Sequence, residues 1–336
     1  MISLQVTRLT VGNFDDLCHV LGRTTEVGVR LSSDEPTGTI LRASVGDVLV
    51  TAAQLRADIR ARGCLESSRI CMAMKLDSQS RHFSFRQGRE FLAGDVSTLQ
   101  RGNYVDYRVS GDARYAFVSV EPSFLLRQCG EDALRRDKEF WHERCSFRAP
   151  SPVRGFIVRS VDRVVTWLSQ PQRTLTKAAV RQLQGDLFEP FMWGLMLDEG
   201  GVNQPSAVPA AAMVRRVEDW VDGRAPETIQ IADLCGALHV TRRTLQRAFT
   251  TTLGMGPAQY LTRRRLTAVR AALRESDPRS TTIADTAMRY GFWELGRFAK
   301  SYRAMFGERP SQTLAKSLRS SVRLPRAGDD AVRSFQ

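Results

Sequence analysis

From about Thr25 to Val120, apolar and polar residues alternate with a period of two. Ile70, Met72, Met74 and Leu76 fall on one face; Tyr107 with Val109, and Phe83 with Phe85, repeat the alternation. Successive side chains of a strand point to opposite faces, so this pattern predicts half-buried strands. Gly46-Asp47, Gly94-Asp95, Gly102-Asn103 and Gly111-Asp112 lie between the runs and predict tight turns. Short strands with turns at this spacing predict a sandwich or barrel, which encloses either a small ligand or its own core.

The period becomes helical from Phe156. Phe156, Val158, Val161, Val164, Val165 and Leu168 form one stripe, ending near Pro171. Leu175, Ala179, Leu183, Leu187, Phe191, Leu195 and Leu197 form a second. Two such faces either pack on the β-rich part or pair with a second copy as a homodimer. Residues 200–209 combine Gly, Pro and polar residues without periodicity and predict a linker. The expected organisation is therefore a first domain over 1–199, β-rich to about 120 and helical over 156–199, then an all-helical domain over 210–318. Residues 319–336 lack periodicity and are expected to form a mobile tail.

Two segments of the helical part share one pattern. Ile231-Ala232-Asp233 and Ile283-Ala284-Asp285 begin them, 52 positions apart. Each then has a small residue, Cys235 or Ala287, that lets two helices approach. Four residues later comes a turn residue, His239 or Gly291. Histidine tolerates the left-handed region better than most side chains, and glycine occupies it freely. An apolar plug follows, Val240 or Phe292, and then an i, i+4 pair, Leu245 with Phe249 or Phe298 with Tyr302. This is helix–turn–helix spacing. Thr241 is placed to cap the helix after the first turn, and Thr282 with Asp285 forms a capping box at the start of the second unit.

The positions left exposed on the second helices are Arg242, Arg243, Gln246 and Arg247 in one unit and Glu294, Arg297, Lys300 and Arg303 in the other. Arg and Gln match guanine and adenine edges in the major groove. Two such helices on matched scaffolds point to double-stranded DNA rather than a merely solvated face. Between them, Pro257 suits a first helical turn, and Leu266, Val269 and Leu273 form the buried stripe of a connecting helix. Arg263, Arg264 and Arg265 on that helix either contact phosphate or lie on its solvated side.

Charge follows the same division. The 336 residues carry 49 Lys and Arg against 36 Asp and Glu, a formal +13, and only five of the 49 are lysine. Residues 1–206 hold 27 basic and 24 acidic side chains; residues 207–336 hold 22 and 12. The excess cation thus sits with the paired helices, as an electrostatic footprint for nucleic acid requires.

The remaining chemistry is sparse. The six cysteines form no Cys-x-x-Cys pair, and the four histidines are scattered, so no metal site and no cofactor is expected. No nucleophile elbow or P-loop appears, and nothing argues for an enzyme. No apolar run is long enough for a membrane helix and no signal-peptide pattern is seen, which leads to the expectation of a cytoplasmic protein.

Leu238-His239-Val240-Thr241-Arg242-Arg243-Thr244-Leu245-Gln246-Arg247-Ala248-Phe249, and Tyr290-Gly291-Phe292 through Phe306-Gly307-Glu308-Arg309-Pro310-Ser311, resemble the two motifs of the AraC/XylS family of bacterial transcription regulators. The Gly-Phe-Trp-x-Leu-Gly-x-Phe variant also resembles a subgroup that includes activators of ethanolamine-utilisation operons. The resemblance implies an α+β chain: an N-terminal β-rich, cupin-like barrel with helices for effector sensing and dimerisation, and a C-terminal all-α double helix-turn-helix domain. It implies an effector-responsive activator that engages DNA, RNA polymerase and a small molecule. The alternative is that the first domain binds a protein partner. One position departs from the family: Trp293 stands where a capping side chain is usual, so the second recognition helix is expected to lack its cap. With His82 the only histidine of the strand region, the metal-binding cupin pattern is absent.

Overall fold

A computed structural model describes residues 4–14, 16–17, 27–64, 68–77, 79–84, 89–99, 104–129, 146–170, 174–197, 209–222, 224 and 229–320. The expected linker at 200–208, most of the tail, the Gly102-Asn103 turn and Phe85 lie outside the described residues. The chain divides into two compact units, one comprising Met1–Gly28 with Asp34–Val208, the other Val29–Ser33 with Pro209–Gln336.

Among the described residues the first unit carries β1 (Gln5–Val11), β2 (Val27–Arg30, of which Val29 and Arg30 fall in the other unit), β3 (Thr37–Val45), β4 (Val48–Cys64), β5 (Ile70–Lys75), β6 (Arg81–Ser84), β7 (Arg89–Glu90), β8 (Val96–Leu99), β9 (Tyr104–Val120) and β10 (Ser146–Phe147). Its helices are α1 (Pro122–Cys129), α2 (Ser151–Leu168) and α3 (Lys177–Met196). The ladders run β1-β3-β4-β9-β5-β8-β10, with β2 on β4 and β6 between β7 and β9. All the described registers are antiparallel.

Strand alternation sorts side chains into two cores. Leu41, Ala43, Val50, Met72, Met74, Val118 and Val120 face α2 and α3. Ile40, Ala53, Ile59, Val109, Ala113 and Tyr115, from the same strands, face a second core with Val11, Phe14 and Leu17. β4 and β9 are each 17 residues long and pair along their whole length. Gly111-Asp112, predicted as a turn, instead lies inside β9 opposite Ala57 and Arg56. Gly111 has φ 94°, open to glycine but rarely to other residues. It bends the strand without ending it. Before Gly111, β9 pairs with β6; beyond it, β9 pairs with β5.

The helical stripes pack on the sheet through Ile157, Val161, Val164, Leu168, Leu187, Phe188 and Phe191. Phe156, assigned to the stripe by sequence, lies outside it and stacks on Trp193 with ring centroids 5.5 Å apart. His82 sits against Phe91, Tyr107 and Tyr115, its Nδ1 2.8 Å from the Tyr115 hydroxyl. Among the described residues no group of three His, Cys, Asp or Glu is arranged to hold a metal, and no helix is long and apolar enough to cross a membrane.

The second unit contains α4 (Pro209–Asp222), α5 (Ile231–Leu238), α6 (Arg242–Leu253), α7 (Pro257–Glu275), α8 (Ile283–Arg289), α9 (Leu295–Phe306) and α10 (Pro310–Ser320). Pro209, read as the last linker residue, begins α4, where its missing N–H costs nothing. Residues 319 and 320, read as tail, belong to α10.

Candidate nucleic-acid interface

The two units of the predicted repeat close in the same way. After α5, the His239 N–H bonds to the carbonyl of Gly236 (3.3 Å) and that of Val240 to Cys235 (3.0 Å). After α8, Gly291 N–H bonds to Met288 (2.9 Å) and Phe292 N–H to Ala287 (3.0 Å). His239 and Gly291 both take the left-handed conformation, at φ 53° and 77°. These are paired Schellman turns, which satisfy the last carbonyls of each helix and send the chain sharply into the next. The small residues at 235 and 287 are thus hydrogen-bond acceptors of the turn as well as spacers.

α6 begins at Thr241, whose hydroxyl accepts from the Thr244 N–H at 3.1 Å. Leu245, Ala248, Phe249 and Leu253 bury one face. Arg242, Arg243, Gln246 and Arg247 occupy the exposed one. The Gln246 amide donates to Thr250 Oγ1 (3.2 Å) and lies against Gly256, where even a Cβ would approach it to 2.9 Å. To reach a base, Gln246 must therefore swing away from the start of α7.

α9 buries Phe298, Tyr302, Met305 and Phe306 and exposes Arg297, Lys300 and Arg303. Its N-cap is Glu294, which makes no side-chain capping bond. Glu294 instead pairs with Arg297 at 3.2 Å, so two of the expected contact residues engage each other in the free protein. Trp293, just ahead, is 68% exposed. Arg242, Arg243, Arg247, Lys300 and Arg303 carry no ion pair among the described residues. Five cations on two amphipathic helices are suited to phosphate oxygens and base edges.

Two of the three adjacent arginines of α7, Arg264 and Arg265, are engaged within the second unit. Arg264 pairs with Asp222 of α4. Arg265 donates to the Gly291 carbonyl (3.4 Å) and lies over the Phe292 ring, 5.1 Å from its centroid; burial pulls its guanidinium below the ordinary value. All three are partly buried. The sequence shows three adjacent cations but not which turn of the neighbouring helices they meet. Below them, the Tyr260 hydroxyl donates to buried Glu218 and its ring meets Phe249 at 5.5 Å, which fixes α4 and α6 on α7.

Residues 234–316 match the profile of a helix-turn-helix domain. XylDLEGF operon transcriptional activator 3 of Pseudomonas putida is 32% identical over 234 residues, 67% of this chain and 66%, just under two thirds, of that protein. XylDLEGF operon transcriptional activator 2 of the same organism is 32% identical over 114 residues, 34% of this chain and 73% of the relative. Among solved structures, the AraC-like transcriptional activator CuxR aligns with a TM-score of 0.43 and 12% identity, over 79% of this chain and 94% of that one.

Proposed function

This chain belongs to the AraC/XylS family of bacterial transcription regulators, and from that premise we propose that it is an effector-responsive activator acting in the cytoplasm. α6 and α9 enter adjacent major-groove segments roughly 10 bp apart. Arg242, Arg243, Gln246 and Arg247 contact the first segment, and Glu294, Arg297, Lys300 and Arg303 the second. The supporting observation is the pair of Schellman turns 52 residues apart, each launching an amphipathic helix with a basic exposed face. A small molecule bound to the first unit shifts the population of the form that engages RNA polymerase.

Selection from a random duplex library, followed by gel shifts with Arg247→Ala and Arg297→Ala, tests this reading. Two recognised boxes are expected, with each substitution relaxing one box by about 1–3 kcal/mol. Affinity should fall steeply with salt through counterion release. A single box, or equal losses on every sequence, would overturn the two-helix reading.

A second reading is supported by Phe156, Trp193, Met196 and Leu197, large apolar side chains left exposed on α2 and at the end of α3. It makes the first unit a protein-binding surface, for a partner protein or a second copy of the chain.

A further inference from the structure

The turn of the second helix–turn–helix unit is longer than that of the first by one residue, and the added residue is Trp293. In the first unit, left-handed His239 is followed by apolar Val240, by the capping Thr241 and then by α6 at Arg242. In the second, left-handed Gly291 is followed by apolar Phe292, then Trp293, then the N-cap Glu294 and α9 at Leu295. The turn residues repeat at 52 positions and the helices that follow them at 53.

Phe292 fills the core position of this turn, its ring 5.1 Å from that of Phe298. Trp293 fills none. It stands in solvent, and among the described residues it makes no hydrogen bond and meets no other ring. Leu295 and Met288, on either side of it in the chain, are exposed as well. An indole left in water forfeits the burial by which aromatic side chains stabilise a fold, so the second unit gains nothing from tryptophan here.

Gly296 is equally unexplained by the fold. It is exposed, its φ is not in the left-handed region, and a Cβ built on it would meet nothing within 4 Å outside its own turn. Neither packing nor backbone conformation calls for glycine, which weakens a helix relative to alanine. A missing side chain at such a place serves a surface that comes close from outside. In a helix–turn–helix the recognition helix presents its N-terminal residues to the groove, so the residue just ahead of it meets the groove's rim, where the sugar–phosphate backbone runs. Exposed Arg297, Lys300 and Arg303 draw phosphates to the same helix.

We propose that Trp293 is a further DNA-positioning residue: its indole lies on a deoxyribose of the strand bordering the second major-groove segment and its Nε1–H donates to the neighbouring phosphate, while the bare backbone at Gly296 lets that strand approach α9 closely. This assignment deepens the two-helix reading above and rests on it. A sugar offers C–H groups that carry no sequence information, so Trp293 adds affinity and fixes the register of α9 without reading a base.

Gel shifts of the full chain, on duplexes taken from the random-library selection and on unselected duplexes of the same library, test it. Trp293→Ala should melt as wild type does, since the ring is exposed. It should weaken binding to both kinds of duplex about tenfold. Base preference in the second box and the salt dependence should stay as they are, because no base contact and no cation is lost. Trp293→Phe should recover part of the affinity, since the ring remains and the N–H donor does not. Gly296→Ala should melt at a higher temperature and yet bind more weakly, a combination that a purely structural glycine does not give. Unchanged affinity in Trp293→Ala, with Arg297→Ala still relaxing the second box, would overturn the assignment and leave the two-helix reading standing; if activation were lost in that variant, the ring would belong to a protein partner. No effect of either substitution would overturn both. A loss confined to duplexes with thymine at one position, and erased when deoxyuridine replaces it, would overturn the backbone contact in favour of the thymine methyl.

Discussion

The guanidinium of Arg270, in the middle of α7, stands 2.9 Å from the carboxylate of Glu308, with side-chain exposures of only 6% and 13%. Glu308 also accepts from Lys316 and from the Thr313 hydroxyl (2.8 Å), which itself accepts from the Tyr302 hydroxyl at 2.8 Å. One carboxylate therefore joins α7, α9 and α10. Removing a single partner of a buried pair leaves the other charge uncompensated, so Glu308→Gln should destabilise the second unit by about 3–5 kcal/mol. Urea denaturation followed by tyrosine and tryptophan fluorescence measures this; a loss below about 1 kcal/mol would mean the pair behaves like a surface contact.

Acid should weaken the two units in sequence. Burial takes the His82 imidazole down to about 3, aided by the charge of Lys75, so the folded state holds it neutral. The unfolded chain binds that proton below about pH 6.5. Stability from His82 is therefore complete above about 6.5 and declines from there toward about 3, at up to roughly 1.4 kcal/mol per pH unit. For Glu308, burial alone would raise the carboxyl. Bonds from Lys316 and Thr313, with the charges of Arg270 and Lys316, outweigh it and hold the group below its ordinary value. Its contribution is complete above the unfolded value of about 4.3 and is lost as pH falls through the lower folded value. Denaturation across a pH series should show the first decline in wild type and a flatter profile above about pH 4.5 in His82→Gln.

His239 is the one non-glycine residue at positive φ among the described residues. A left-handed backbone costs an ordinary side chain about 1–2 kcal/mol, part of which glycine returns through its larger unfolded-state entropy. His239→Gly should raise stability by about 0.5–1 kcal/mol, and Gly291→Ala should lower it by about 1–2 kcal/mol. Opposite signs for this matched pair, read by thermal melting, are the expected outcome; equal signs would contradict the shared turn geometry.

The unequal caps of α6 and α9 give another test. Glu294→Ser places a hydroxyl at an uncapped N-cap and should stabilise α9 by about 1 kcal/mol. The same substitution removes the pairing partner of Arg297. Non-specific DNA affinity should therefore rise, with a steeper dependence on salt as a further cation reaches phosphate. Unchanged salt dependence would show that Arg297 does not approach the backbone.

The helix–turn–helix units were readable because their information is local. A left-handed residue, a small residue four positions earlier and an i, i+4 apolar pair each mark a fixed place in one short motif, and His239, Cys235, Leu245 and Phe249 lie where that spacing puts them. Arg265 was not readable, because its partner is a carbonyl 26 positions away that becomes an acceptor only once the second turn has formed. β1 escaped the alternation pattern because, among the described residues, it pairs only with β3 and leaves most of its residues at least partly exposed. Gly111-Asp112 misled because a glycine at positive φ marks a bent strand as well as a turn, and only pairing partners distinguish the two. The residues proposed to contact DNA on α6 and α9 were legible as exposed positions, whereas the engagement of Gln246 with Thr250 and of Glu294 with Arg297 depends on rotamers that periodicity does not encode.

The bend at Gly111 also bears on how the first unit comes apart. β4 and β9 continue through it as an unbroken ladder, so neither core rests on strands of its own. Fraying at one end removes the template on which the other end is built. Amide protons on both sides of Gly111 should accordingly exchange through one shared opening event rather than as two independent blocks. A substitution in either core would then report its cost in the protection of both.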